Sequence, residues 1–325
     1  MIKREEVAKI AGVSVTTVTR VANGAEYVSE KTREKVQKVI DQYHYKPNSV
    51  ALNLTKKESK TIAVLVEDLC NQYVAEVVEV LTSEAMKFGF ITMLFFVSEK
   101  NICAVIDDVL ENNVAGLINL SLINIEQACG EKFEGRNINT VNVLEGKGLC
   151  LKMDYDEAMD LAFDMLAKAG KKHAVFIGGM IRSWMLGDGR VRSFLEKSRK
   201  LAEPSVENDV LSGGYPQKKY ENIGYDFIMQ HLAKGNTFDA VFCLNDAIAI
   251  GVMKALAEAG KKVPDEIAVV GCDNVRLARM LSPALTTFDG KIEEVADEYF
   301  KYAAGLATET FKTVRCNLIV RDSLK

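Results

Sequence analysis

Residues 14–20 bring together hydroxyls, one guanidinium and a small apolar side chain: Ser14, Val15, Thr16, Thr17, Thr19 and Arg20. These groups suit contact with nucleic acid. An arginine forks onto a guanine edge, a threonine donates or accepts one bond, and valine methyls fit a thymine methyl. Arg20, Thr16 and Val15 offer those capacities in turn. Ser14, Thr17, Thr19 and Asn23 are better suited to phosphate contact or to capping, where they fix register. The plain alternative for Arg20 is a solvated surface arginine.

Two short helices must hold these groups. Val7, Ala8, Ile10 and Ala11 have helical spacing, Gly12 interrupts them, and Ser14 can cap a second helix. Such a pair forms a helix-turn-helix, in which the second helix enters a DNA major groove; alone, it also describes ordinary structural hairpins. Ser29 can cap a third helix, whose Val36, Val39, Ile40 and Tyr43 should close a small core with Val7, Ile10, Val18 and Val21. Pro47 stops further helix, and 48–55 reads as a short weak helix before a polar linker.

Charge separates this head from the rest. Residues 1–60 carry twelve Lys or Arg against seven Asp or Glu, so a net of −4 hides a basic head on an acidic body. The seven cysteines are scattered without a CxxC pair, and with only three histidines no ordinary zinc cluster forms. They read as buried small hydrophobes in a reducing cytosol. No secretion signal, membrane span, metal site or cofactor is expected.

From Thr61 the composition changes. Apolar strand runs at 62–66, 90–97 and 114–120 alternate with helical stretches at 74–87 and 102–110, and the alternation restarts beyond residue 155. This indicates parallel sheets covered on both faces, in two similar lobes. The first strand is followed by Glu67-Asp68-Leu69-Cys70-Asn71, without glycine, which argues against a nucleotide-binding enzyme. Ligands in such folds bind beyond the carboxyl ends of strands. Asn245 and Asp273 stand at two such ends, and Tyr73 and Trp184 can supply an apolar platform.

The string Glu6-Val7-Ala8-Lys9-Ile10-Ala11-Gly12-Val13-Ser14, followed by Thr17-Val18-Thr19-Arg20-Val21 and Asn23-Gly24, resembles the opening of the LacI-type (LacI/GalR) bacterial transcription regulators. So do Phe242 to Ala249, Val263 to Asn274, Ser282 to Thr287 and the ending Val320-Arg321-Asp322-Ser323. The resemblance implies a multidomain protein with an all-α helix-turn-helix head and a two-lobed α/β periplasmic-binding-protein-like body with parallel sheets. The head spans 1–47 and a hinge 48–60. The first, dimerising lobe takes 61–159 and 288–318, the second 160–287 and 319–325. Val15, Thr16 and Arg20 match the family's base readers, while Lys3-Arg4 replace a common Thr-Ile pair, with Lys3 a phosphate contact. In the hinge, Asn48 joins the DNA-binding set and Leu54 matches a leucine that wedges into the minor groove. Arg190 matches the ligand-clamping arginine, and Asp289 stands where many relatives have glutamine.

A cytoplasmic repressor follows: a homodimer on a pseudopalindromic double-stranded operator, controlled by a small molecule between the lobes. Because the chain stops soon after its last strand, no tetramer is expected. A sugar or sugar derivative is the first expectation for the effector, and a purine or a phosphorylated carrier protein the alternative. A transport receptor would lack the head, and an enzyme would need a catalytic set that the sequence does not offer. A purely architectural DNA-binding protein would not need so large a body.

Overall fold

The computed structural model describes residues 2–22, 27–45, 59–143, 147–179, 186–201, 219–235 and 237–325, and the backbone of 210–212. It divides into two compact units, Met1–Lys60 and Thr61–Lys325.

In the head, α1 (Arg4–Ala11), α2 (Val15–Ala22) and α3 (Glu30–Gln42) bury Val7, Ala8, Ala11, Val18, Val21, Val36 and Val39. Ile10 and Tyr43, expected in this core, are 48% and 44% exposed. At about 100° per residue, positions 7, 8 and 11 share one arc of α1 and position 10 lies outside it. The α1 start is closed by Glu6 Oε2, which accepts the Lys3 N–H at 2.8 Å. The Ser14 hydroxyl accepts the Thr17 N–H at 3.1 Å and so caps α2. Ser29 sits at the α3 N-cap, but its hydroxyl pairs with that of Thr32 and not with a backbone N–H.

The body opens with β1 (Thr61–Val66), α4 (Gln72–Lys87), β2 (Ile91–Phe96), α5 (Ile102–Glu111), β3 (Gly116–Asn119), α6 (Ile125–Cys129) and β4 (Asn139–Asn142). Their four strands form a parallel sheet in the order β2-β1-β3-β4. After Thr61, β1 is apolar and buried, as a central parallel strand requires. β2 is an edge strand that leaves Ile91, Leu94 and Phe96 exposed.

The chain then runs through β5 (Cys150–Asp154), α7 (Asp156–Lys168), β6 (Ala174–Gly178), α8 (Gly189–Lys197), β7 (Val210–Ser212), α9 (Tyr220–Ala233), β8 (Ala240–Cys243), α10 (Asp246–Glu258), β9 (Ala268–Asp273) and β10 (Thr286–Asp289). It returns through α11 (Ile292–Ala303) and β11 (Phe311–Arg315) to β12 (Leu318–Ile319). The second sheet has the order β12-β10-β9-β8-β6-β7, antiparallel only at β12. β5 and β11 pair with each other as a parallel ribbon at two of the crossings.

The lobe changes fall at Asp154–Asp156, Asp289–Ile292 and Arg315–Leu318, and not at 160, 288 and 319. The cause is helical and strand integrity. α7 places Ala158, Met159, Ala162, Phe163 and Leu166 together in the second-lobe core, and Phe288 packs there too, whereas Ile292 to Ala303 pack in the first. Of the cysteines, Cys129, Cys243, Cys272 and Cys316 are buried and Cys70 is exposed. Among the described residues no helix is long and apolar enough to cross a membrane, and no group of three or more His, Cys, Asp or Glu is placed to hold a metal.

α9 and α10 touch backbone to backbone through Gly224 and Gly251. A Cβ on Gly251 would overlap the Glu221 carbonyl, and one on Gly224 the Ile248 carbonyl. Gly251→Ala should therefore lower stability by about 1–3 kcal/mol, although alanine in an open helix normally adds about 1 kcal/mol. Denaturant midpoints of the two proteins check this.

Candidate functional site

On the head, Thr16 and Arg20 are exposed and, four residues apart, share one face of α2. Val15 is half-buried against the head core, so its methyls serve packing as well as surface. The Thr19 hydroxyl donates to the Val15 carbonyl at 3.1 Å and accepts from Arg4 Nη1 at 3.4 Å. The Ser14 and Thr17 hydroxyls are 2.8 Å apart within the cap. Lys3, at the start of α1, is exposed. The Arg20 guanidinium lies 5.2 Å from the ring centroid of Tyr27, an aromatic 75% exposed that the sequence pattern did not single out. Asn23, Asn48, Leu54 and Trp184 lie outside the described residues.

Between the lobes of the body lies a cleft of about 480 Å³ at the carboxyl ends of β1, β3, β8 and β9. Tyr73, Val74 and Val77 of α4 and Tyr299 of α11 wall it from the first lobe; Tyr155, Arg190, Tyr220, Asn245 and Asp273 come from the second. Glu67, Asp68 and Lys219 stand along it. The sequence reading placed Tyr73, Arg190, Asn245 and Asp273, and the fold brings these four together. It missed Tyr155, Tyr220, Tyr299 and Asp188. An aspartate two residues before Arg190, at a helix start, was the one legible signal among them.

Arg190 is already engaged. Asp188 caps α8, accepting the Arg190 backbone N–H at 2.8 Å. Its Oδ1 and Oδ2 also accept Nε and Nη2 of Arg190 at 2.9 and 2.7 Å, while Nη1 donates to the Leu244 carbonyl at 2.7 Å. Against the upward push of burial, the guanidinium holds the Asp188 carboxyl below its usual range. Asn245, expected to donate or accept, caps α10 with its carbonyl oxygen, which accepts the Ile248 N–H at 2.9 Å. That leaves its amide group for a ligand.

Asp273 leaves β9 with φ 114° and Asn274 follows at 57°, left-handed conformations that non-glycine residues seldom adopt and that concentrate at ligand sites. Burial pushes the Asp273 carboxyl well above its usual range, the Asp246 charge adds to this, and Arg190 opposes it. Asp289 is its neighbour in register but does not line the cleft. It stays on the strand, accepts the Lys291 N–H at 3.2 Å, pairs with Lys291 Nζ at 3.1 Å and lines a separate cavity of about 370 Å³ with Arg276 and Arg321.

Behind the cleft, fully buried Asp246 accepts the Thr287 hydroxyl at 2.6 Å and the Val275 N–H at 3.0 Å. Burial raises its carboxyl to about 7 against these bonds. The folded state then holds a proton that the unfolded chain releases near pH 4, so this contribution is full below that value and is lost as pH rises towards 7. Asp246→Asn removes the titration. The difference in melting temperature, wild type minus variant, should grow as pH falls from 7.5 to 5; thermal unfolding across that range checks it.

Residues 5–48 match the family model described as bacterial regulatory proteins, lacI family, and 163–324 match a periplasmic binding protein-like domain. The HTH-type transcriptional repressor PurR of Yersinia pestis (strain Pestoides F) is 31% identical over 307 residues, covering 91% of this chain and 87% of that protein. The Lac repressor bound to ONPG in the repressed state superposes with a TM-score of 0.80 at 23% identity, covering 99% of both chains. The Lac repressor dimer bound to operator and the anti-inducer ONPF gives 0.76 at 23% identity, covering 99% of this chain and 98% of that one. With a basic three-helix head, a two-lobed body and a repressor relative along nearly its whole length, the chain belongs to the lacI family of bacterial regulatory proteins, DNA-binding repressors with a ligand-binding domain.

Proposed function

We propose that the chain reads a pseudopalindromic operator as a cytoplasmic homodimer, and that a hydroxyl-bearing small molecule, a sugar or sugar derivative, alters its operator affinity from the cleft. One observation carries this reading: a single chain joins an exposed Thr16–Arg20 helix face to a cleft walled by both of its lobes. The Asn245 amide, the Asp273 carboxyl and four tyrosines offer bonds to hydroxyls and faces to a sugar ring. A planar base is the second reading, favoured by that same set of aromatic rings. The cleft binds its ligand without transforming it; turnover of a bound sugar by the purified chain would overturn that.

Apolar surface supports the dimer. Met86, Phe88, Ile91 and Phe96 are 47–69% exposed around the β2 edge, and Met280 of the second lobe is 76% exposed. A helix-turn-helix alone reads few base pairs, and two-fold pairing doubles the interface. Phe96→Glu should shift sedimentation towards monomer and weaken operator binding at least tenfold. An unchanged dimer would place the interface elsewhere.

Arg20→Ala should lose about 1–3 kcal/mol of discrimination at one position of each half-site. Lys3→Ala should weaken all sequences alike and reduce the salt slope by about one unit. Titration of cognate and scrambled operators separates the two. A thermal-shift screen of sugars and purines, followed by operator titration with any hit, tests the coupling. A hit that stabilises the protein yet leaves operator affinity constant at saturation would overturn it.

A further inference from the structure

We infer that Asp188 is a specificity-determining residue that makes the cleft select uncharged ligands and reject phosphorylated or carboxylated ones. The inference rests on reading the cleft as the effector site. An anion is bound strongly by arginine when both N–H groups of the guanidinium fork reach its oxygens. In this chain that fork is filled from within, by Asp188 at 2.9 and 2.7 Å, and a third N–H goes to the Leu244 carbonyl.

The pairing is fixed by local structure. Asp188 is the α8 N-cap and Arg190 the second residue of that helix, so the carboxylate that accepts the Arg190 N–H is already aligned with the side chain. Both side chains are largely buried, 16% exposed for Asp188 and 20% for Arg190, where solvent screens little. An incoming phosphate would have to displace a carboxylate covalently tethered beside its target.

The remaining charges do not favour an anion either. Among the described residues that line the cleft, besides the paired Asp188 and Arg190, the acids Glu67, Asp68 and Asp273 outnumber the one further base, Lys219. A neutral diol meets a better fit. Nη2 keeps one further N–H and Oδ2 accepts one bond from Arg190, so the cleft lining holds donor and acceptor capacity side by side, the arrangement vicinal hydroxyls complement.

The test uses the full chain at constant ionic strength, with inorganic phosphate, ribose and ribose 5-phosphate, and glucose and glucose 6-phosphate as probes. Asp188→Asn keeps the size and the capping oxygen while removing the charge; Asp188→Ser is a second variant with good capping chemistry. Melting curves without probe confirm that each variant folds. The expected result is that calorimetry finds inorganic phosphate or a sugar phosphate binding at least tenfold more tightly to either variant than to wild type, and that adding Arg190→Gln abolishes the gain. Wild type binding a sugar phosphate as tightly as its neutral parent, or both variants keeping wild-type anion affinity, would overturn the inference. If no neutral sugar binds wild type, the effector reading for these sugars fails, while the anion comparison still decides the role of Asp188.

Discussion

One buried carboxylate holds the functional end of the body together. Asp246 begins α10, lies against Gly271 of β9, and ties the β10 hydroxyl of Thr287 and the backbone of Val275 to the same point. A Cβ at 271 would collide with its Oδ1. The residue before it, Asn245, lines the cleft, and the segment it pins contains Asp273 and Asn274 in their left-handed conformations. A buried acid is costly unless its oxygens are satisfied. Here those bonds position the cleft floor, so the cost and the geometry share one origin.

The pinned segment also reaches the first lobe. Three residues beyond Asp273, the Arg276 backbone N–H meets Glu76 Oε1 at 2.9 Å and its guanidinium meets Glu79 Oε2 at 2.7 Å, both on α4. Tyr73, one turn before Glu76, walls the cleft. A ligand touching Asp273 and Tyr73 therefore bears on the two sides of the same inter-lobe clasp. The Arg276 and Glu79 side chains are more than half exposed, and such pairs contribute only about 0–1 kcal/mol. A modest difference in ligand contact is enough to compete with that exposed pair, and two lobes joined by three narrow crossings are a form suited to rotation.

The sequence made the class of fold and the principal cleft residues legible, because both rest on patterns the chain cannot hide. A parallel strand buried on both faces must be apolar throughout, and its carboxyl end must expose whatever polar residue follows. Asp273 and Asn245 were readable in that way. Asp289 follows the same rule and lies elsewhere, since strand-end position says nothing of which neighbour captures the side chain; Lys291 does. Asp188 escaped because its partnership depends on helix capping and rotamer, not on spacing alone. Ile10 was misplaced because the larger apolar residue drew attention from Ala8 and Ala11, which have the right phase on α1.

The interleaved path through the lobes bears on the chain during synthesis. The first lobe borrows 292–303 for its core, and the second closes with Cys316, Leu324 and the Ser323 hydroxyl, which accepts the Thr286 N–H at 2.8 Å and donates to the Val269 carbonyl at 2.6 Å. Neither can finish from a continuous stretch of nascent chain. Up to residue 291 a ribosome carries a first sheet without its α11 cover and a second sheet without β12, with apolar faces in water, a condition that invites chaperones and misassembly. A premature stop near residue 285 would not leave one sound lobe and one damaged lobe; it would deprive both of their closing segments.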